Sequence, residues 1–174
     1  IDKDTSGLLV IAKNNKSHAI LSDYFKKHDN IKREYIALIC GNFPHDSATI
    51  DAPIGRKEGS TIERIIDYEK GERAVTHYKV LEQKENVALL ALRLETGRTH
   101  QIRGHMTSIG HPLVGDFLYN PQNKGMTRQA LHAWKLSFTH PITKSVMELE
   151  APIPEDMKTF LNCRKEEWPG IIKD

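Results

Sequence analysis

The first residues of the chain place carboxylates beside a turn and an apolar run. Asp2 and Asp4 lie next to a Thr-Ser-Gly segment at residues 5–7, and Asp, Ser and Gly all favour turns. Residues 8–12 are apolar throughout and predict a fully buried strand. A short polar loop joined to such a strand is a rigid support for a reactive carboxylate, although a turn with a purely structural role is the commoner use of these residue types.

A second group of polar side chains occupies residues 94–111. A strand is predicted to end at Glu95, and Thr99 is placed to cap a helix over residues 100–109 that Gly110 would close. Arg98 falls at the joint between the strand and the helix, where a side chain is held tightly. This segment therefore offers a cation in a fixed position.

Three histidines in the same region raise the question of a metal site. His100, His105 and His111 are separated by five and six residues. Two histidines on one face of a helix need a spacing close to one turn, and no cysteine or acidic ligand stands beside these three. We therefore predict no metal site here.

Tyr35 lies on the strand predicted for residues 32–40. Alternation places Tyr35 and Ile39 on one face of this strand. Ile36 and Leu38 then share the opposite face. The hydroxyl of Tyr35 either reaches a cleft or is buried in the core, and the local pattern leaves both open.

The remaining elements are predicted from apolar periodicity and turn residues. Most are strands in consecutive pairs, with two or three helices, and this order predicts an α+β fold with a mostly antiparallel mixed sheet flanked by a few helices. No linker or repeat divides the chain, so residues 1–174 are predicted to form one domain. The predicted elements are a helix at 15–28 capped by Asn14 or Asn15, strands at 47–52, 74–83, 87–95, 130–140 and 145–150, a solvated excursion at 56–73, and a short helix with Pro154 in its first turn that ends near Cys163.

Composition is that of an ordinary globular protein, with 174 residues of which 39% are hydrophobic and 28% charged. No apolar run approaches the roughly 20 residues of a membrane helix, so no membrane partner is expected. Cys40 and Cys163 lie far apart, which favours a reducing compartment and hence the cytoplasm. The net charge of +2 permits an anionic partner without requiring one.

The chain starts with Ile inside a motif, and we expect it to be an N-terminally shortened part of a longer protein.

Three stretches together resemble the RluA family of pseudouridine synthases. Residues 1–7, Ile-Asp-Lys-Asp-Thr-Ser-Gly, resemble its catalytic Asp-x-x-Thr-Ser-Gly motif, and residues 33–41 resemble its tyrosine strand. Residues 96–105, Thr-Gly-Arg-Thr-His-Gln-Ile-Arg-Gly-His, are similar to its arginine signature, and Ala-Leu-His-Ala at 130–133 also fits. The family's His-Arg before Ile1 is absent. The fold implied is therefore the pseudouridine synthase catalytic domain without its N-terminal part.

The resemblance implies a role for each matching residue. Asp2 corresponds to the catalytic aspartate, whereas Asp4 falls on a variable position. Tyr35 would stack on the target base, and Arg98 would form an ion pair with Asp2. The other implied substrate-binding residues are Leu131, which would pack against the flipped base, Thr5 and Ser6, which would shape the loop, and Gln101 and Arg103, which would support the cleft.

The function implied by the resemblance is isomerisation of uridine to pseudouridine in RNA, through Asp2 acting on a flipped-out uridine. Large-subunit ribosomal RNA is the substrate expected first, and transfer RNA second. No metal, cofactor or obligate protein partner is implied. Asp2 would either attack the anomeric carbon of the ribose or remove a proton from the neighbouring carbon to give a glycal, and the sequence leaves both open.

Two other functions are compatible with parts of the pattern. A glycoside hydrolase or a transglycosylase would use Asp2 and Asp4 as acid and nucleophile, but it would leave Tyr35 and residues 94–105 without a role. A non-catalytic RNA-binding module would bind RNA and form no product. The joint presence of Asp2, Tyr35 and Arg98 argues against this second alternative.

Overall fold

The computed structural model describes residues 1–27, 29–123 and 125–162 and shows an α+β fold built on one mixed sheet. The predicted fold class is confirmed. In chain order the elements are β1 (Ser6–Gly7), α1 (Asn15–Lys27), β2 (Ile31–Cys40), β3 (Ser47–Asp51), β4 (Ile54–Arg56), β5 (Arg64–Ile66), β6 (Val75–Lys84), β7 (Val87–Leu94), α2 (Gln101–Ser108), β8 (Leu131–Thr139), β9 (Val146–Glu150) and α3 (Glu155–Asn162).

Seven strands form the main sheet in the order β1-β8-β2-β7-β6-β3, with β9 paired to β8. β1 runs parallel to β8, and the other pairs are antiparallel. The predicted hairpin at 74–95 is confirmed as β6 with β7, and the closing pair as β8 with β9. Because β8 also pairs with β1 and β2, it brings the beginning of the chain beside its later strands.

Alternation along β2 divides the apolar core between the two faces of the sheet, as predicted. Ile39 is fully buried in a cluster with Met106 of α2, and Tyr35 packs against this cluster. Leu38 is fully buried on the other face, in a cluster with Met157 of α3. At β2, α2 therefore packs on the face that carries Tyr35, and α3 packs on the opposite face.

α1 begins after Asn14, close to the predicted start. Oδ1 of Asn14 accepts the N–H of Ser17 at 2.9 Å, which satisfies one of the donors that the first helical turn leaves open. Leu21 is buried in a third apolar cluster with Leu136 and Phe138 of β8. This contact fixes the helix against the sheet.

The prediction of a buried strand at residues 8–12 is wrong. β1 comprises two residues, and Leu9 and Ile11 are 61% and 76% exposed. The ladder ends where the N–H of Leu8 donates to the carbonyl of Ala133 at 2.9 Å, since the next stretch of the same β8 edge is paired with β9. Apolar composition predicted the strand, but the edge with which it would have paired is occupied.

The excursion predicted at residues 56–73 is only partly solvated. β4 and β5 pair with each other here, and Ile54 is buried. Ile66 packs against the cluster that contains Met106. Tyr68 is 79% exposed. The balanced charges of this segment therefore concealed one apolar position, Ile66, that attaches it to the core, while Ile54 anchors the chain just before it.

The predicted cap of α2 by Thr99 is wrong. The helix begins at Gln101, and the residue before it, His100, has a φ of 55° and no side-chain cap bond. The N–H of Gln101 donates to the carbonyl of Arg98 at 3.1 Å. The end is as predicted, because Gly110 has a φ of 82° and its N–H donates to a carbonyl of the last turn.

α3 begins directly after Pro154, whose carbonyl accepts the N–H of Lys158 at 3.0 Å. The predicted end near Cys163 lies outside the described residues. No helix within the described ranges is long and apolar enough to cross a membrane.

Gly7 lets β1 approach β8 closely, so its replacement should weaken the fold. Its φ is 105°, and a Cβ here would lie 2.2 Å from the carbonyl oxygen of Ala133. We expect Gly7→Ala to lower the free energy of unfolding by about 3 kcal/mol or more, because backbone strain and a main-chain clash add. In the control Gly59→Ala, φ is 74° and nothing lies within 4 Å, so strain of about 1–2 kcal/mol acts alone. Urea unfolding measures both losses, and equal values would contradict the close approach.

Candidate active site

A cleft of about 420 Å³ lies between the first residues of the chain, β2 and the turn before α2. Six of the eight predicted site residues line it, although they come from four separate segments. Ser6 and Arg103 are the two that do not. The lining residues are Ile1, Asp2, Lys3, Thr5, Arg33, Tyr35, Leu94, Gly97, Arg98, Thr99, His100, Gln101, Ile102 and Leu131.

Asp2 supplies the carboxylate of this cleft, and two donors hold it. Its side chain is 19% exposed, and Oδ2 lies 3.5 Å from Nη1 of Arg103. Oδ1 accepts the backbone N–H of His100 at 3.4 Å. The carbonyl of Asp2 accepts the N–H of Thr5 at 3.1 Å, which closes the turn. Because each carboxylate oxygen faces a donor, the group is held in one orientation.

The expected ion pair between Arg98 and Asp2 is wrong. Nη1 of Arg98 pairs with Glu72, and its Nε donates to the carbonyl of Arg73 at 3.1 Å. The guanidinium of Arg103 lies beside Asp2 instead. The reason is position, since Arg98 lies in the turn before α2 with 38% of its side chain exposed, whereas Arg103 is a buried residue of the helix.

A second carboxylate satisfies the buried charge of Arg103. Nε and Nη2 donate to the two carboxylate oxygens of Asp116 at 2.7 and 2.8 Å. Burial by itself would lower the pKa of Arg103, but the hydrogen bonds and charge of Asp116, together with the charge of Asp2, raise it overall. Arg103 therefore stays charged and directs Nη1 toward Asp2. The family resemblance also extends to residues 110–116, but it implied no role for Asp116, although a buried arginine requires such a partner.

Tyr119 is a further residue of this assembly that the sequence patterns did not single out. Its Oη lies 3.1 Å from Nδ1 of His100 and accepts the N–H of Arg64 at 2.8 Å. The centre of its ring lies 5.0 Å from Cζ of Arg103. Burial, followed by the charge of Arg103, lowers the pKa of His100, so the imidazole is neutral at pH 7.

Gln101 is buried, and its amide connects the turn before α2 to β6. Oε1 accepts the hydroxyl of Thr96 at 2.8 Å and the N–H of Arg98 at 3.0 Å. Nε2 donates to the carbonyl of Val75 at 2.9 Å and to the hydroxyl oxygen of Thr76 at 3.0 Å. This buried amide has partners for both of its polar atoms, and it fixes the wall of the cleft that carries Arg98.

His105 continues the same hydrogen-bond network. Its Nδ1 lies 2.9 Å from Oγ1 of Thr76, and its Nε2 lies 2.8 Å from the carbonyl of Ala52. A carbonyl only accepts, so Nε2 carries the proton and Nδ1 accepts the hydroxyl. His111 bonds separately, through Nδ1, to the carbonyl of Cys40 at 3.0 Å. In the described part of the chain, no group of three or more His, Cys, Asp and Glu residues is placed to hold a metal ion.

Side chains that precede β8 hold the loop at residues 2–5. Nε2 of Gln129 donates to the carbonyl of Lys3 at 2.6 Å. Nη1 of Arg128 donates to the carbonyl of Asp4 at 3.2 Å. The side chain of Asp4 is exposed, its φ is 67°, and it does not line the cleft. The loop is therefore fixed through its backbone, and its two carboxylates point to different surroundings.

The remaining predicted residues form the apolar wall of the cleft and its support. Thr5 and Leu131 are both buried at the cleft. Ser6 lies behind it, with its hydroxyl 2.9 Å from Nδ1 of His132. Burial raises the pKa of Tyr35, so the phenol is uncharged at neutral pH. The cleft thus places one carboxylate beside an aromatic ring and an aliphatic side chain.

Comparisons with known proteins point to one family. The family described as RNA pseudouridylate synthase matches residues 1–108. The chain is 45% identical over 161 residues to the uncharacterized RNA pseudouridine synthase YjbO of Bacillus subtilis, covering 92% of this chain and 56% of the relative. It is 44% identical over 171 residues to ribosomal large subunit pseudouridine synthase D of Zymomonas mobilis, covering 91% and 52%. The chain thus spans about half the length of the curated relatives it matches.

Solved structures show the same fold. Human RNA pseudouridylate synthase domain containing 1 matches with a TM-score of 0.75 and 30% identity, over 87% of this chain and 66% of the human chain. Human RNA pseudouridylate synthase domain containing 4 matches with a TM-score of 0.75 over 98% of this chain and 76% of the other. At 22% identity, this second likeness concerns the fold alone.

The buried, neutral His105 should make stability fall in acid. Burial lowers its pKa in the folded protein, whereas the unfolded chain binds a proton near the ordinary value of 6.5. The stabilisation is therefore complete above about pH 6.5 and is lost below it, by at most about 1.4 kcal/mol per pH unit for one group.

His105→Asn should reduce this dependence, whereas His45→Asn, at an exposed position, should leave it unchanged. Urea unfolding at several pH values between about 7.5 and 5.5 measures the slopes. The same slope in the His105 variant and the unmodified chain would contradict the role of burial.

Proposed function

Because the chain belongs to the family of RNA pseudouridylate synthases, we propose that it isomerises uridine to pseudouridine in RNA, with Asp2 as the catalytic carboxylate. The observation that carries this proposal is the placement of Asp2. Asp2 lines a cleft that Tyr35 and Leu131 also line, and its carboxylate is held by Arg103 and the N–H of His100. One oriented acid beside a surface suited to a flat base fits a reaction at the bond between ribose and uracil.

The reaction breaks the bond between the anomeric carbon and the base nitrogen, turns the uracil, and forms a carbon–carbon bond. C5 of the uracil loses its proton when it bonds to the anomeric carbon, and the nitrogen released from the ribose gains a proton. The isomerisation therefore needs neither an electron acceptor nor added water. An ionised Asp2 serves either route, attack on the anomeric carbon or removal of a proton from the neighbouring ribose carbon. In both routes the guanidinium of Arg103 orients the acid.

The target uridine must leave its stack to reach Asp2. Extrusion of a base from folded RNA costs on the order of a few kcal/mol. Stacking on an aromatic ring contributes roughly 1–3 kcal/mol per base, so Tyr35 can offset much of this cost. Leu131 offers apolar contact on another wall of the same cleft.

Cationic side chains at the cleft suit the RNA backbone. Lys3, Arg33 and Arg98 all line it. Lysine and arginine side chains supply the sequence-independent attraction between proteins and nucleic-acid phosphates. We propose that Arg98, which does not contact Asp2, acts on the RNA instead.

Large-subunit ribosomal RNA is the substrate class that we propose first. The relative from Zymomonas mobilis, like several others, is named as a ribosomal large subunit pseudouridine synthase. This substrate would place the activity in the cytoplasm. A glycosidase with two acids is disfavoured, because Asp2 is the single acidic residue among the described residues that line the cleft, and Asp4 lies outside it.

Asp2→Asn should abolish pseudouridine formation and leave RNA binding nearly unchanged, because it removes the charge and keeps the shape. Asp4→Asn is the matched control, the same change two residues away, and should retain activity. Nucleoside chromatography of large-subunit ribosomal RNA after incubation measures product, and filter binding measures affinity. Substantial turnover by Asp2→Asn would refute the assignment, and release of free uracil would indicate glycoside hydrolysis instead.

The two arginines offer a second matched test. Arg103→Lys should lower kcat on the order of 100-fold, because a lysine loses the two-point pair with Asp116 and with it the position beside Asp2. Arg98→Lys should mainly raise KM, since the side chain of Arg98 lines the cleft but does not contact Asp2. Thermal unfolding shows whether each variant is folded. An equal loss of kcat in both would mean that Arg98 reaches Asp2 when RNA is bound.

A further inference from the structure

Both residues that donate to the carboxylate of Asp2 contact the same residue outside the cleft. Those donors are the backbone N–H of His100 and the guanidinium of Arg103. Each of these residues also contacts Tyr119, in the segment between α2 and β8. Tyr119 does not line the cleft.

The first route runs through the backbone of His100. Its φ of 55° lies in the left-handed region, which a residue other than Gly adopts at a cost of about 1–2 kcal/mol. Such a conformation persists where surrounding contacts impose it. The contact between the His100 ring and Oη of Tyr119, at 3.1 Å, is one of these, and it holds the residue whose N–H faces Oδ1 of Asp2.

The direction of this hydrogen bond follows from the other partner of the phenol. Oη of Tyr119 accepts the N–H of Arg64 at 2.8 Å, so its own O–H is available to donate to Nδ1 of His100. Burial raises the pKa of Tyr119, which keeps this proton in place. Burial lowers the pKa of His100, which keeps Nδ1 available as an acceptor.

The second route runs through Arg103. Its Cζ lies 5.0 Å from the centre of the Tyr119 ring, within the range of a cation–π contact. Oδ1 of Asp116 accepts the N–H of Tyr119 at 3.2 Å and also binds Nη2 of Arg103. The ring and the carboxylate therefore hold the guanidinium together, and its Nη1 is directed to Asp2.

We propose that Tyr119 is a positioning residue for the reaction. It fixes the orientation of the Asp2 carboxylate through His100 and Arg103, and its hydroxyl connects this arrangement to β5 through the N–H of Arg64. The expected effect of Tyr119 on turnover rests on the proposed function, whereas its positioning of His100 and Arg103 does not.

Tyr119→Phe and Tyr119→Leu separate the two routes. Phe removes the hydroxyl and keeps the ring over Arg103, so kcat should fall roughly tenfold with KM within about twofold. Leu removes both contacts and should lower kcat roughly 100-fold. Tyr68→Phe is the matched control at an exposed position and should leave both constants unchanged. An unchanged kcat in Tyr119→Phe, or a loss confined to KM, would overturn the proposal.

Hydrogen exchange of the His100 amide tests the same claim without any turnover. In Tyr119→Phe this amide should exchange roughly tenfold faster, and in Tyr68→Phe at the original rate. Unchanged protection of the His100 amide in Tyr119→Phe would overturn the positioning role, whether or not the chain forms pseudouridine. Absence of pseudouridine formation by the unmodified chain would instead refute the proposed function and would leave the exchange result valid. If Tyr119→Leu does not fold, the Phe variant decides alone, because its ring preserves the packing.

Discussion

The buried guanidinium of Arg103 is the constraint on which the rest of the site depends. Removal of an ion from water is costly unless its donors find partners, and each partner must then stay in place. Asp116 accepts two of the N–H groups, and Asp2 lies within ion-pair distance of a third nitrogen. The need to satisfy one buried charge therefore joins α2, the segment after it and the first residues of the chain. The same need orients the acid of the cleft.

β8 assembles the opposite wall. Ser6 pairs with His132 in the parallel ladder, and Tyr35 pairs with Ala133 in the antiparallel one, so the loop and the tyrosine strand meet at the same place. The register of β2 on β8 shifts between Glu34 and Tyr35. Irregularities of this kind redirect side chains next to functional sites, and this one directly precedes the aromatic residue of the cleft.

Hydrogen bonds between neutral groups support the third wall. Gln101, Thr76 and His105 form a buried chain between α2, β6 and the residue that follows β3. A fully satisfied polar network stiffens the structure around it, and here it fixes the turn that presents Arg98. The shape of the cleft is therefore held by charged contacts at Asp2 and by hydrogen bonds between uncharged side chains beneath the turn.

Local patterns in the sequence were sufficient for the fold class, for most strand and helix positions, and for the two faces of β2, because alternation and turn residues act over a few positions. Motif matching also named six residues that line the cleft. It did not identify which arginine faces Asp2, since Arg98 and Arg103 are chemically alike and differ in burial and in the carboxylate that each meets. In the same way residues 8–12 have strand composition, yet β9 occupies the edge they would need. Contacts between distant segments decided these points, because pairing and burial depend on which partner is present in space and not on residue type alone.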